Sequence, residues 1–183
     1  MKASKTAAAA LAVTGGLLAS GSLAVAAGPR AHASATPKGG TVHVFVSHIG
    51  NTKAKLTITG AIGDYGTATS ENKQGKVTAN GVYQHAKLKH GTLVINTGAF
   101  DKKLNHAHFH LNSSNCSAWF TATGPATITS GTGAYAGAHG KLTLTAQFAG
   151  IAPTKANGSC NLSNSAPTLG GFIVITGKGK VSF

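Results

Sequence analysis

Gly131-Thr-Gly-Ala-Tyr-Ala-Gly-Ala-His-Gly140 lies between two runs of β character, Pro125-Ala-Thr-Ile-Thr129 and Lys141-Leu-Thr-Leu-Thr-Ala-Gln-Phe148. Glycines at 131, 133, 137 and 140 allow positive φ and let neighbouring strands approach closely. The stretch reads as the tip of a β-hairpin and speaks to fold rather than to chemistry.

Outward from that hairpin the chain alternates. In residues 41–49, Val42, Val44 and Val46 share one face and His43, Phe45 and Ser47 the other. Leu56 and Ile58 face away from Lys55, Thr57 and Thr59. Runs at 82–89 and 91–97 are joined by a tight turn at His90-Gly91, and further strands are expected at 104–111, 118–123, 126–129, 142–148, 172–176 and 179–183. Gly63-Asp-Tyr-Gly66 and Ser70-Glu-Asn-Lys73 read as turns. No helical period lasts ten residues after Ala33, so the fold class is all-β. Many short strands with no helices to cover them must hide their edges, which favours a single antiparallel β-barrel over an open sheet.

The N-terminus reads as a secretory leader. Lys2 and Lys5 precede an apolar, alanine-rich stretch from Thr6 to about Ala27, followed by small-x-small sites at Ala24-Val-Ala26 and Ala31-His-Ala33. Cleavage after Ala33 divides the chain into a signal peptide, 1–33, and a β-barrel domain, 34–183. Gly15, Gly16, Ser20, Gly21 and Ser22 dilute the apolar run as a membrane span. The product is therefore expected to be secreted and extracellular, with no membrane attachment after cleavage. In such a compartment Cys116 and Cys160 are expected to form a disulfide. It would close a loop of about 45 residues and contribute about 4 kcal/mol in the chain-entropy model.

Lysine and arginine number 16 against three acids, a formal charge of +13. Removing the leader leaves 13 lysines, three acids and no arginine, a net charge of +10. Without arginine's planar fork, sequence-specific nucleic-acid reading is disfavoured. Attraction to an anionic cell-wall polymer remains physically easy, and the histidines would strengthen it on acidification. The acids are Asp64, Glu71 and Asp101. Paired-carboxylate chemistry could draw only on these, and no nucleophile elbow, P-loop or HExxH motif is present.

Asn105-His-Ala-His-Phe-His110 is the one constellation with metal-ligand character. On a strand, His106, His108 and His110 share a face, and neighbouring HxH imidazoles are close enough to chelate zinc, copper or nickel. Three in a row span about 13 Å on one strand. A complete site would therefore need His85 or His90 from a neighbouring strand, or Asp101. The competing reading is a solvated outer face.

The hairpin at 131–140, with Thr121-Ala-Thr-Gly-Pro-Ala-Thr-Ile-Thr129 before it and Phe148-Ala-Gly-Ile-Ala-Pro153 after it, resembles the allene-oxide-cyclase and dirigent β-barrels. Together with Gly60-Ala-Ile-Gly-Asp-Tyr-Gly66, Thr176-Gly-Lys-Gly-Lys-Val-Ser-Phe183 and the spaced cysteines, it also resembles a family of uncharacterised exported actinobacterial proteins. The resemblance implies a barrel that takes a small molecule inside it. Dirigent proteins place acids, tyrosines and an arginine in that interior. No arginine is left here after the leader, so no catalytic residue is carried over. The leading expectation is a non-enzymatic barrel binding a small apolar ligand or anionic cell-envelope material. The alternatives are a small-molecule isomerase or cyclase, and metal binding through the histidine strand. An interior closed around Tyr83, Trp119 or Phe109 would favour ligand binding or cyclisation.

Overall fold

A computed structural model describes residues 38–47, 49–163, 166 and 168–183. The leader, its cleavage sites and His48 lie outside the described residues. Among the described residues there are nine strands and one helix: β1 Gly40–Ser47, β2 Lys53–Gly60, β3 Asp64–Glu71, β4 Tyr83–Leu88, β5 Gly91–Asn96, α1 Gly98–Asn105, β6 His110–Asn112, β7 Ser117–Gly133, β8 His139–Ile151 and β9 Gly170–Ser182.

Every pairing between these strands is antiparallel, and β5 pairs with β7. That last pairing closes β1-β2-β3-β4-β5-β7-β8-β9 into an eight-stranded barrel, with β6 outside the ring on the first residues of β7. Where β5 meets β7 the register slips by one residue, leaving Thr129 as a bulge. The Thr129 hydroxyl donates to the Val94 carbonyl at 3.1 Å.

Alternation does the sorting. Val42, Val44, Leu56, Ile58, Leu93, Ile128 and Leu142 are buried in one continuous core. Their strand neighbours Thr41, Lys55, Thr57, Thr127 and Lys141 are exposed. Closure removes the edges that so many short strands would otherwise present to solvent.

The hairpin at 131–140 is where β7 turns into β8, and its glycines do two different jobs. Gly133 and Gly137 take positive φ, 63° and 82°. At Gly131 and Gly140 the demand is close approach: a Cβ would stand 2.2 Å from the Tyr135 carbonyl oxygen and 2.1 Å from that of Lys180 respectively.

Four expectations need correction. The residues read as turns at 63–66 and 70–73 largely belong to β3. Its inward residues are Asp64, Gly66, Ala68 and Ser70, small or polar, so it shows no hydrophobic alternation. The runs at 118–123 and 126–129 are one 17-residue strand that continues through Gly124 and Pro125. Pro125 is tolerated because β5 begins to pair with β7 only at Thr127. The two C-terminal runs are likewise one strand, β9, crossing Gly177 and Gly179.

The fourth correction is the histidine strand. Residues 98–105 form α1, so Leu104 is helical, and β6 begins only at His110. Asp101 lies in the first turn and Lys102 and Lys103 in the last, each favourable to the helix dipole. Phe100 is buried in the core, and a Cβ on Gly124 would lie 2.9 Å from the Phe100 Cα. Anchoring against β7 therefore makes a helix of a segment too short to announce itself by periodicity.

Candidate functional site

The barrel has a plugged end and an open end. Asp64 plugs the first. Its carboxylate accepts hydrogen bonds from the Tyr135 hydroxyl (2.5 Å) and from the backbone amides of Tyr65 (2.8 Å) and His90 (2.9 Å). A longer one comes from the Lys89 amide (3.3 Å), and His90 Nδ1 lies 3.2 Å away. Burial alone would raise the Asp64 pKa. The bonds from Tyr135, His90 and Tyr65 outweigh it and hold the carboxyl below its ordinary 3.8. Burial and the same carboxylate push the Tyr135 phenol well above its ordinary value. This knot ties β3, the β4–β5 turn and the β7–β8 turn together at the base of the barrel.

Toward the other end the packing opens into a cavity of about 850 Å³. Its walls are inward residues of the strands: Val44 and Val46 of β1, Leu56 of β2, Ala68 and Ser70 of β3, Gln84 of β4, Ile95 of β5, Leu142 and Leu144 of β8, and Ile175 of β9. Its rim is formed by residues 49–52 between β1 and β2 with Lys53 at the start of β2, residues 79–82 between β3 and β4, and α1 with the residues before it. A space of this size lies within the roughly 300–1,000 Å³ typical of small-molecule sites.

Polar side chains concentrate at the rim, among them Asn51, Lys53, Asn80, Asp101, Lys102 and Asn105. The Ser70 hydroxyl is already committed to the Gly81 carbonyl at 3.0 Å. The Thr97 hydroxyl donates to Asp101 Oδ2 at 2.8 Å. Burial raises the Asp101 pKa and the Thr97 bond only partly opposes it. Gln84 in the wall and Asp101 at the rim are among the side chains that could meet a polar group of a ligand.

Asp64 and Glu71 stand at opposite ends of β3. Glu71 lies 3.3 Å from His85 Nδ1, and Asp101 is on α1. Asp64 and Glu71 therefore do not form a glycosidase-type pair.

Of the proposed metal ligands, the structure brings His108 and His110 together. Nδ1 of His106, the residue capping α1, donates to the Lys102 carbonyl at 2.7 Å. His108 meets His110 edge-on at 4.5 Å, and His110 stacks on Trp119 with centroids 3.9 Å apart. His85 sits on β4 beside Glu71. Among the described residues no group of three or more His, Cys, Asp or Glu is placed to hold a metal ion.

Cys116 and Cys160 form a disulfide with a Cα–Cα distance of 5.4 Å. Among the described residues no helix is long and apolar enough to cross a membrane.

None of the three aromatics singled out in the sequence lines the cavity. Tyr83 precedes the inward Gln84 on β4, and Trp119 is on the outer face of β7, exposed to 52%. Phe109 packs on Phe120 and Phe148, centroids 6.4 and 6.2 Å away. The walls are instead mainly aliphatic residues drawn from six strands, with Gln84 from a seventh. No local motif announces such a surface, because it exists only once the sheet has closed.

The geometry defines an antiparallel eight-stranded barrel with an apolar interior open at one end. Comparison with protein-family models, with curated proteins and with solved structures finds no match.

Proposed function

We propose that this protein is an exported, non-enzymatic β-barrel that holds a small, largely apolar ligand inside it. The observation that carries the reading is the roughly 850 Å³ cavity bounded mainly by aliphatic strand residues, with most of its polar side chains at the rim. Burial of apolar surface supplies the affinity, about 25 cal/mol per Å² removed from water, while Gln84 and the Asp101 rim orient one polar group. The basic, alanine-rich leader and the Cys116–Cys160 disulfide support export.

Titration with the neutral fluorophore N-phenyl-1-naphthylamine tests this. Saturable binding is expected in the full chain, and Ala68→Phe, which fills the cavity from β3, should abolish it while leaving the far-UV circular dichroism unchanged. Binding that survives Ala68→Phe, or no binding at all, rejects the reading.

A second reading, an isomerase or cyclase of the allene-oxide-cyclase or dirigent type, draws on one observation: a half-buried carboxyl, Asp101, whose pKa burial raises, borders the cavity. A barrel can hasten ring closure by holding reactive ends together. Asp101→Asn would then lose turnover while keeping fluorophore affinity.

A further inference from the structure

We infer that the outer face of β7, β8 and β9 is a binding surface for an anionic polysaccharide. Strand register builds this face in three zones. At the end where these strands run past β1 and β5, Trp119 and Phe172 lie in one row with only the small Ala149 between them. They are 52% and 61% exposed, and Ile151, next outward on β8, is 47% exposed. The His110 imidazole stacks on the indole of Trp119 at an interplanar angle of 14° and so sets its orientation.

Threonine hydroxyls fill the middle, where Thr123, Thr145 and Thr176 form one row and the first two hydroxyls are 3.0 Å apart. Lysines fill the far end. Lys141 stands directly opposite Lys180, and Lys178 pairs with His43 of the neighbouring β1. Like charges directly opposite on a sheet destabilise it. The chain's three acids lie on β3 and α1, so none relieves that repulsion.

Each zone suits one feature of a charged glycan. The electron-rich faces of Trp119 and Phe172 accept the C–H face of a sugar ring. Threonine hydroxyls match sugar hydroxyls, and the lysine cluster matches carboxylate or sulfate. Trp119 and Thr127 are eight residues apart on β7, about 27 Å, which asks for an extended chain.

Other occupants fit less well. A membrane surface needs its apolar and basic groups at one depth, and here they stand at opposite ends of the strands. Nucleic-acid contacts favour arginine, whose planar fork meets phosphate and base edges, and no arginine stands on this face. A second copy would oppose lysines to lysines or to the apolar end. This surface is independent of the cavity and stands or falls separately from it.

Trp119 is the chain's only tryptophan, so its emission reports on the site directly. The full chain is titrated with polygalacturonate and heparin, and with neutral dextran, poly(dT) and phosphatidylglycerol vesicles as competing classes. The expected result is binding of at least one anionic glycan, with a change in Trp119 emission and tighter than any competing class. Lys141→Gln/Lys178→Gln/Lys180→Gln should weaken it about tenfold or more, and Phe172→Ala several-fold. Lys73→Gln/Lys76→Gln/Lys89→Gln, with the same net charge, should change it less than about twofold. Equal loss in both triple variants, tighter binding of a competing class, unchanged Trp119 emission, or no binding of either anionic glycan overturns the assignment.

Discussion

The Tyr135 hydroxyl donates to the Asp64 carboxylate at 2.5 Å, joining the β7–β8 turn to the start of β3 across 71 residues of sequence. Both side chains are buried, at 3% and 4% exposure. The hairpin tip therefore presents its one aromatic residue to the most committed acid of the protein.

Removing that bond leaves a buried carboxylate one donor short. Tyr135→Phe should cost about 1.5–3 kcal/mol at pH 7, the range for hydrogen bonds to charged groups. Because Asp64 is held below its ordinary 3.8, the native state binds fewer protons than the unfolded chain in acid. Its contribution is complete above about pH 4 and is lost as pH falls through the lower native value. Urea unfolding at pH 7 and pH 3 measures this. The variant should lose less relative to wild type at pH 3, and equal losses would show that Tyr135 acts only by packing.

Asp101 has the opposite sign. Burial raises its pKa, so the native state keeps that proton to higher pH than the unfolded chain does. Stability from this group falls as pH rises from about 4 through the native value. Asp101→Asn keeps an oxygen to accept the Thr97 hydroxyl and removes the buried charge. It should be at least as stable as wild type at pH 7 and flatten the stability profile between pH 4 and 7. A clear loss of stability at pH 7 would contradict this.

The glycines of the β7–β8 hairpin are testable one at a time. Gly131→Ala and Gly140→Ala each place a Cβ against a backbone carbonyl that cannot move aside, at 2.2 and 2.1 Å. Each should cost about 1–3 kcal/mol. Gly63→Ala, which meets nothing within 4 Å, should stay within about 0.5 kcal/mol of wild type. Thermal unfolding of the three variants ranks them, and a Gly63 variant as unstable as the other two would refute the close-approach account.

The disulfide bridges a sequence separation of 44. Cys116→Ser/Cys160→Ser should destabilise the fold by about 4 kcal/mol if the constraint acts on the unfolded chain. Dithiothreitol should reproduce the effect in wild type and leave the double variant unchanged, as read by denaturant midpoint.

Much of the barrel was legible in local pattern. Alternation located β1, β2 and β4, a β-branched run located β5, and the glycine-rich stretch located the turn between β7 and β8. β3 was hidden because a strand facing the barrel interior with Asp64, Gly66, Ala68 and Ser70 has no apolar period to read. α1 was hidden because eight residues cannot show a helical period, and its stability comes from Phe100 in the core. The strand expected at 104–111 fails for the same reason: helix α1 runs through Asn105 with His106 as its cap, and β6 begins only at His110.

Composition and spacing on their own determined the β class, the excess of lysine over acid and a pair of cysteines suited to bridging. These are properties of single residues and near neighbours, where backbone sterics and side-chain alternation act directly. The tertiary structure alone decided that Asp64 is a buried knot, that the interior is aliphatic and open at the α1 end, and that Trp119, Phe172 and the lysines at 141, 178 and 180 share one outer face. Each depends on which strands are neighbours and in what register, and register is set by closure of the whole sheet.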